Sequence, residues 1–184
     1  MTDHDLFDRV LKGPWITAGD DVQYKLEDGL LYFQCSRGAS DWRANFDFPV
    51  VPYRDMKDKF RVHRGFLAKW KSVRDVIRPL PFHTIVGFSH GAALAALAHE
   101  DRLFHLGVEC TTTLFGCPRF LWMPSGVAQF AFVGVRRVSV RGDIVTHLPP
   151  AFTGYRHTHR FRIVGPWSIP RPQKHQPDEY RRYI

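Results

Sequence analysis

The stretch HTIVGFSHGAALAALAHE, His83–Glu100, changes its periodicity in the middle. A short apolar run ends at Phe88, Ser89-His90-Gly91 interrupts it, and an alanine-rich helical pattern follows. That order reads as strand, sharp turn, helix. Gly87, Ser89 and Gly91 form G-x-S-x-G at the bend. A serine on so tight a turn is held in strained backbone with its Oγ presented above the sheet. Glycines on either side bring no side chain into collision with the neighbouring strand and helix. The following helix aims its N-terminal amides at the same place, where the residue after the serine can offer an N–H to an oxyanion. The competing reading is a strand-to-helix turn with a capping serine. The apolar run before the motif and Ala92, Ala93, Ala95 and Ala96 after it favour a nucleophile.

Working outward, the 184 residues suit one domain, 1–184, large enough to bury a sizeable core. A composition 44% hydrophobic and 14% aromatic excludes a disordered chain. No run of 18 apolar residues exists, so no transmembrane segment is expected. The first residues, MTDHDLFDRVLKGPW, lack the pattern of a secretory signal, so none is expected there. Cys35, Cys110 and Cys117 are odd in number and lack metal-ligand spacing, which fits reduced thiols in a cytoplasmic protein. A secreted protein already relieved of its signal fits the same residues. The net charge of +8 is uneven, because residues 136–184 hold 10 Lys/Arg against 3 Asp/Glu. Such a bias could meet an anionic lipid surface or nucleic acid. The basic residues are scattered, so a solvated basic face is expected, with no specific nucleic-acid partner.

In chain order, Asp5–Leu11 has amphipathic helical spacing. Val22–Lys25 and Leu30–Cys35 flank the turn signal Glu27-Asp28-Gly29 and predict a hairpin. A helical turn is expected from Asp41 to Phe46, and Phe48–Tyr53 reads as loop. Val62–Arg78 predicts a helix whose Phe66, Trp70, Val73 and Ile77 pack into the core, ended by Pro79 and Pro81. Val108–Phe115 and Val135–Val140 read as buried strands, Ser125–Phe132 as a weaker helix, and Tyr155–Val164 as one alternating strand. Asp178–Ile184 closes the chain as a helical turn. Strands alternating with helices, with no internal repeat, predict an α/β fold: a mainly parallel sheet covered on both faces.

A serine hydroxyl needs a base to take its proton and a carboxylate to orient that base. Among the acids beyond Ser89, only Asp143 follows directly on a predicted buried strand. Its alternatives are a loop aspartate capping its own backbone, or part of the adhesion-type tripeptide Arg141-Gly142-Asp143. The later histidines are His147, His157, His159 and His175. His147 is too near Asp143 to come from a separate loop. His157 and His159 share a strand face, which could hold a metal only with a third ligand. His175 follows the final strand, where a general base belongs, although a surface histidine in a tail would look the same.

Several separated segments carry a resemblance: Ser36-Arg37-Gly38-Ala39 with Asp41-Trp42, Val62-His63-Arg64-Gly65-Phe66 running to Trp70, and Gly87-Phe88-Ser89-His90-Gly91. Phe115-Gly116-Cys117-Pro118-Arg119, Asp143-Ile144-Val145-Thr146-His147-Leu148-Pro149-Pro150 and Gly154-Tyr155-Arg156-His157 continue the series. In order and spacing they resemble the class 3 (fungal-type) lipases of the α/β-hydrolase superfamily. The resemblance implies Ser89 as nucleophile, Asp143 as acid and His175 as base, and it gives His157 a structural place. It also implies an oxyanion hole from the backbones of His90 and Ala39, each donor worth about 3 kcal/mol in comparable sites.

The chain departs from the family in three places. Ala39 stands where Ser or Thr is usual, so a hydroxyl donor is missing unless Ser40 substitutes. His90 stands where leucine is usual. Only about twenty residues separate Ala39 from Phe60, which leaves little room for a long helical lid. A minimal domain with a short or absent lid follows. The reading is a carboxylic ester hydrolase working through an acyl-enzyme on a small-molecule ester or lipid, on short- to medium-chain acyl groups, with no metal or organic cofactor. Phe48, Phe88, Phe115, Trp122 and Phe152 are candidates for acyl-pocket walls, or core. The alternatives are a phospholipase or lysophospholipase at anionic lipid surfaces, and a non-catalytic basic binding protein on the same fold.

Overall fold

The computed structural model describes residues 1–34, 49–53, 61–122, 133–157 and 161–184. The described strands lie in two sheets. The larger has seven strands in the order β1 (Ile16–Ala18), β2 (Val22–Glu27), β3 (Leu30–Phe33), β6 (Thr84–Phe88), β7 (Thr111–Phe115), β9 (Val135–Val140), β11 (Phe161–Val164). From β3 onward every pairing is parallel, and β1 and β2 add an antiparallel edge. The expected hairpin is there: Asp28 and Gly29 both take positive φ, +52° and +74°, between β2 and β3.

Period-two alternation along β6 sends Ile85 to one face and Val86 and Phe88 to the other. On the first face Ile85 joins Phe66, Trp70, Val73 and Ile77 of α2 (Arg64–Ile77) and the alanines of α3 (His90–Leu106) in one core. The second face packs Val86 and Phe88 against Phe7 and Val10 of α1 (Asp3–Leu11) and Tyr180 of α4 (Pro177–Tyr183). Helices therefore cover both faces, as the alternation predicted. α1 starts earlier than its apolar spacing suggested because Thr2 caps it: its hydroxyl accepts from the Asp5 amide, and the Asp5 carboxylate accepts from the Thr2 amide. Among the described residues no helix is long and apolar enough to cross a membrane.

The smaller sheet was not foreseen. Four antiparallel strands run in the order β10 (Tyr155–Arg156), β8 (Leu121–Trp122), β5 (Arg61–His63), β4 (Val50–Pro52). Three expectations change because of it. The segment read as loop, Phe48–Tyr53, contains β4, whose Pro52 is tolerated at the end of an edge strand. The helix read from Val62 begins at Arg64. Val62 and Phe66 are both buried four residues apart, so their spacing mimics a helix across a strand-to-helix junction. Tyr155–Val164 is two strands, β10 in the small sheet and β11 at the edge of the large one. The expected helices over Asp41–Phe46 and Ser125–Phe132 lie outside the described residues, as does the stretch between Ala39 and Phe60 apart from residues 49–53.

The basic C-terminal quarter is not a uniformly solvated face. Arg136 and Arg162 both bind Asp3, Arg181 binds Asp8, and Lys174 binds Glu179. Arg137 and Lys174 are buried. The acidic first helix thus pairs with three of these cations, Arg136, Arg162 and Arg181.

Candidate active site

The turn between β6 and α3 is as strained as the sequence implies. Ser89 has φ +58° and ψ −126°, outside the regions that L-residues normally occupy. Its amide donates to the Phe115 carbonyl at 2.9 Å, and its own carbonyl accepts from Ala92 at 3.0 Å. Both motif glycines are sterically required. A Cβ on Gly87 would stand 2.3 Å from the Gly91 carbonyl oxygen, and one on Gly91 would stand 2.4 Å from that of Gln34. The strand and helix thus cross too closely for any side chain, and this closeness fixes where the hydroxyl lies. Gly87 and Gly91 make the bend; Ser89 occupies it.

β9 delivers Asp143 through the positive-φ residue Gly142 (φ +81°). Asp143 is fully buried, so the Arg141-Gly142-Asp143 tripeptide presents no carboxylate to a partner. Its Oδ1 accepts from the Val145 amide at 2.9 Å and its Oδ2 from the Tyr180 hydroxyl at 2.6 Å. Thr146 donates its hydroxyl to the Asp143 carbonyl at 2.8 Å. After β11 the chain returns alongside: the Arg171 amide donates to the Gly142 carbonyl at 2.9 Å, and a 3-10 turn, Pro172–His175, follows. Lys174 is buried in that turn and held by Glu179 of α4, whose carboxyl it lowers below the usual range.

His175 is thereby set between the other two. Its Nδ1 lies 2.8 Å from Asp143 Oδ2 and its Nε2 lies 2.7 Å from Ser89 Oγ. A carboxylate only accepts, so Nδ1 carries the hydrogen and Nε2 is left with the lone pair that faces the serine. The ring stacks on Phe88 at 5.1 Å and 20°. Behind the pair Gly116, at φ +56°, leaves room that a side chain would fill.

Tyr180 was missed by sequence reasoning. Burial and the adjacent Asp143 push its phenol well above the ordinary value, so it stays a donor. Its aromatic character in a terminal helix signals only packing, and its ring does stack on Phe7 at 5.4 Å. The hydroxyl's aim at Asp143 has no one-dimensional signature.

Of the other expected residues, His90 begins α3, which places its backbone amide at the positive end of the helix dipole beside Ser89. Its ring is buried edge-on to Phe66 at 5.1 Å. Ala39, Ser40 and Phe48 lie outside the described residues. Phe88 and Phe115 are core side chains around Phe7, Trp122 bonds the Thr153 carbonyl, and Phe152 is 90% exposed. His157 Nε2 is engaged by the Thr146 carbonyl at 2.6 Å, which suits a structural role. His159 lies outside the described residues, among which no three His, Cys, Asp or Glu side chains gather as metal ligands.

The family model for lipase (class 3) matches residues 30–153, more than half of the chain. The chain belongs to the class 3 lipase family. Solved structures agree on the fold. A Rhizomucor miehei lipase in complex with its propeptide superposes with a TM-score of 0.67 at 23% identity, covering 82% of this chain and 56% of that one. The lipase from Rhizopus microsporus var. chinensis gives 0.64 at 23%, covering 81% and 59%. A triacylglycerol lipase whose catalytic centre is formed by a serine-protease triad gives 0.66 at 23%, covering 83% and 66%. The present chain therefore spans less than two thirds of the length of each of these lipases. As a class 3 lipase chain it has the α/β-hydrolase fold in a small form, a mostly parallel sheet flanked by helices.

Proposed function

We propose that the chain is a carboxylic ester hydrolase, in one domain spanning residues 1–184, with Ser89 as nucleophile, His175 as general base and Asp143 as the acid that orients it. The observation that carries this reading is the unbroken relay from Ser89 Oγ to His175 Nε2, 2.7 Å, and from His175 Nδ1 to Asp143 Oδ2, 2.8 Å. Ser89 Oγ attacks the ester carbonyl carbon while Nε2 takes the hydroxyl proton. The charge that develops on the carbonyl oxygen is met by the His90 amide and, as the family likeness implies, by that of Ala39. Collapse of the intermediate expels the alcohol, protonated by His175, and leaves an acyl-enzyme. Water, deprotonated by the same nitrogen, then releases the acid.

The substrate we infer is a short- to medium-chain acyl ester or acylglycerol, since the sequence leaves little room for a long lid between Ala39 and Phe60. A reducing compartment suits the buried free thiols of Cys110 and Cys117. Hydrolysis of p-nitrophenyl esters from acetate to palmitate, beside Ser89→Ala, tests both parts. Turnover that peaks at short acyl chains and disappears in Ser89→Ala is expected. A protein that cleaves none of these esters contradicts the activity, and strong activation above a lipid's aggregation concentration contradicts the short lid.

A further inference from the structure

Arg137 has no place in the ester chemistry and is costly where it stands. Its side chain rises from β9 and is only 7% exposed. Among the described residues its Nε and Nη1 have no hydrogen-bond partner and no carboxylate pairs with it. Its guanidinium instead lies over the Phe161 ring at 5.3 Å. Burial holds its pKa below the usual arginine value. Ser139, two residues along the same strand face, buries a hydroxyl that also lacks a partner. At His157 the Thr146 carbonyl can only accept, so Nε2 carries the hydrogen, and the buried Nδ1 is unpartnered.

All three residues line one cavity of about 250 Å³. Arg119 and Arg141 also line it, Arg119 held in place by the His147 and Pro149 carbonyls. No Asp or Glu is among its described lining residues. A buried cation and buried polar groups without partners are retained at a cost unless something completes them. What would complete this set is an anion with several acceptor oxygens. Guanidinium forks match a phosphate in shape and charge, and a hydroxyl supplies a further donor. The cavity has room for such a group with part of the molecule attached to it.

We propose that this cavity binds a phosphate group, with Arg137 as its buried anchor, Arg119 and Arg141 as flanking cations and Ser139 as a hydroxyl donor. The group belongs to a lipid headgroup or to a soluble phosphate compound. Phe161, Ile163, Trp167 and Ile169, all exposed, lie on and just after β11, and Ile163 and Trp167 also line the cavity, which gives a lipid apolar surface to rest on. Gly142 and Thr146 in the wall bracket Asp143, so an occupant would bear on the loop that carries the triad acid. Binding is measured without turnover, and so succeeds or fails independently of the ester hydrolase reading.

The test is calorimetric titration with inorganic phosphate at fixed ionic strength, with chloride as the reference anion, on the wild type, Arg137→Met and Ser139→Ala. Saturable binding is expected for the wild type, weakened on the order of tenfold or more in Arg137→Met and by less in Ser139→Ala. Arg137→Met should also melt no lower than wild type in phosphate-free buffer, because it removes an uncompensated buried charge. Ser139→Ala carries the test if the arginine variant does not fold. Absence of saturable binding, or equal affinity in all three proteins, overturns the proposal. Co-sedimentation with phosphatidylcholine vesicles containing phosphatidic acid identifies the source. Binding to them that inorganic phosphate reverses and Arg137→Met lacks assigns a headgroup; phosphate binding with no vesicle binding assigns a soluble compound.

Discussion

Gly116→Ala should impair His175 while leaving the protein folded. Gly116 sits at φ +56°, where an alanine costs about 1–2 kcal/mol. Its new methyl would stand 3.0 Å from His175 Cε1, 2.9 Å from the Tyr180 hydroxyl and 3.1 Å from Phe88 Cε2. Comfortable carbon contacts begin near 3.5 Å, so the neighbours must retreat by about half an ångström. Tyr180 and Phe88 are buried and cannot yield easily, whereas His175 is partly exposed. The imidazole should therefore move, and its 2.7 Å contact with Ser89 should lengthen by about half an ångström, to the outer end of the hydrogen-bond range. Misplacement by a full ångström costs roughly 10²-fold in rate, so a shift of about half that should cost roughly tenfold in kcat. The accompanying strain of about 1–3 kcal/mol should lower Tm by several degrees, at roughly 2–4 °C per kcal/mol for a chain of this size. The assay is kcat and KM on a short p-nitrophenyl ester, with Tm on the same preparation. Full kcat in a folded Gly116→Ala protein would refute the claim that this space positions the histidine.

The remaining predictions concern stability and the support of Asp143. Gly91→Ala forces a methyl to within 2.5 Å of two carbonyl oxygens of the backbone, those of Phe33 and Gln34. It should lose about 3 kcal/mol or more in urea denaturation, since α3 must lift from β3; an unaltered midpoint would count against the tight crossing. Tyr180→Phe keeps the ring contacts but removes the 2.6 Å donor to Asp143. It should cost about 1.5–3 kcal/mol of stability and lower kcat roughly three- to tenfold, far less than the ~10⁴ expected for Asp143→Asn. Equal losses in the two variants would contradict a positioning role. Burial lowers the pKa of His99, which bonds Thr112 and the Val133 carbonyl. Below about pH 6.5 the unfolded chain binds a proton that the folded one refuses. This stability is complete above the unfolded pKa and is lost as pH falls toward the depressed folded value. Tm should drop as pH falls below about 6.5, and His99→Gln should flatten that slope, though not fully, because His147 is shifted the same way.

What the sequence disclosed depended on how local the cause was. The β6–Ser89–α3 unit was legible because two periodicities meet at glycines whose absent side chains matter within a few residues. Asp143 and His175 were legible from order and strand ends, but their convergence depends on the Arg171 amide reaching the Gly142 carbonyl, a contact between distant segments. The small sheet was illegible because β8 and β10 are two residues long and β4 and β5 three, with no period to read and pairing only to remote segments. Arg137 looked like one solvated cation among ten, because the alternation along Val135–Val140 gives Val138 and Val140 to the core and leaves Arg137 on the opposite face, whose burial has no local signature.

Activation of Ser89 by His175 can be tested by its reactivity toward an electrophile. Mass spectrometry after reaction with a fluorophosphonate tests it without assuming a natural substrate. One phosphonyl adduct per chain is expected, mapped to Ser89, absent from Ser89→Ala and greatly slowed in His175→Ala. An unlabelled wild-type protein, or an adduct on another residue that persists in Ser89→Ala, would contradict it.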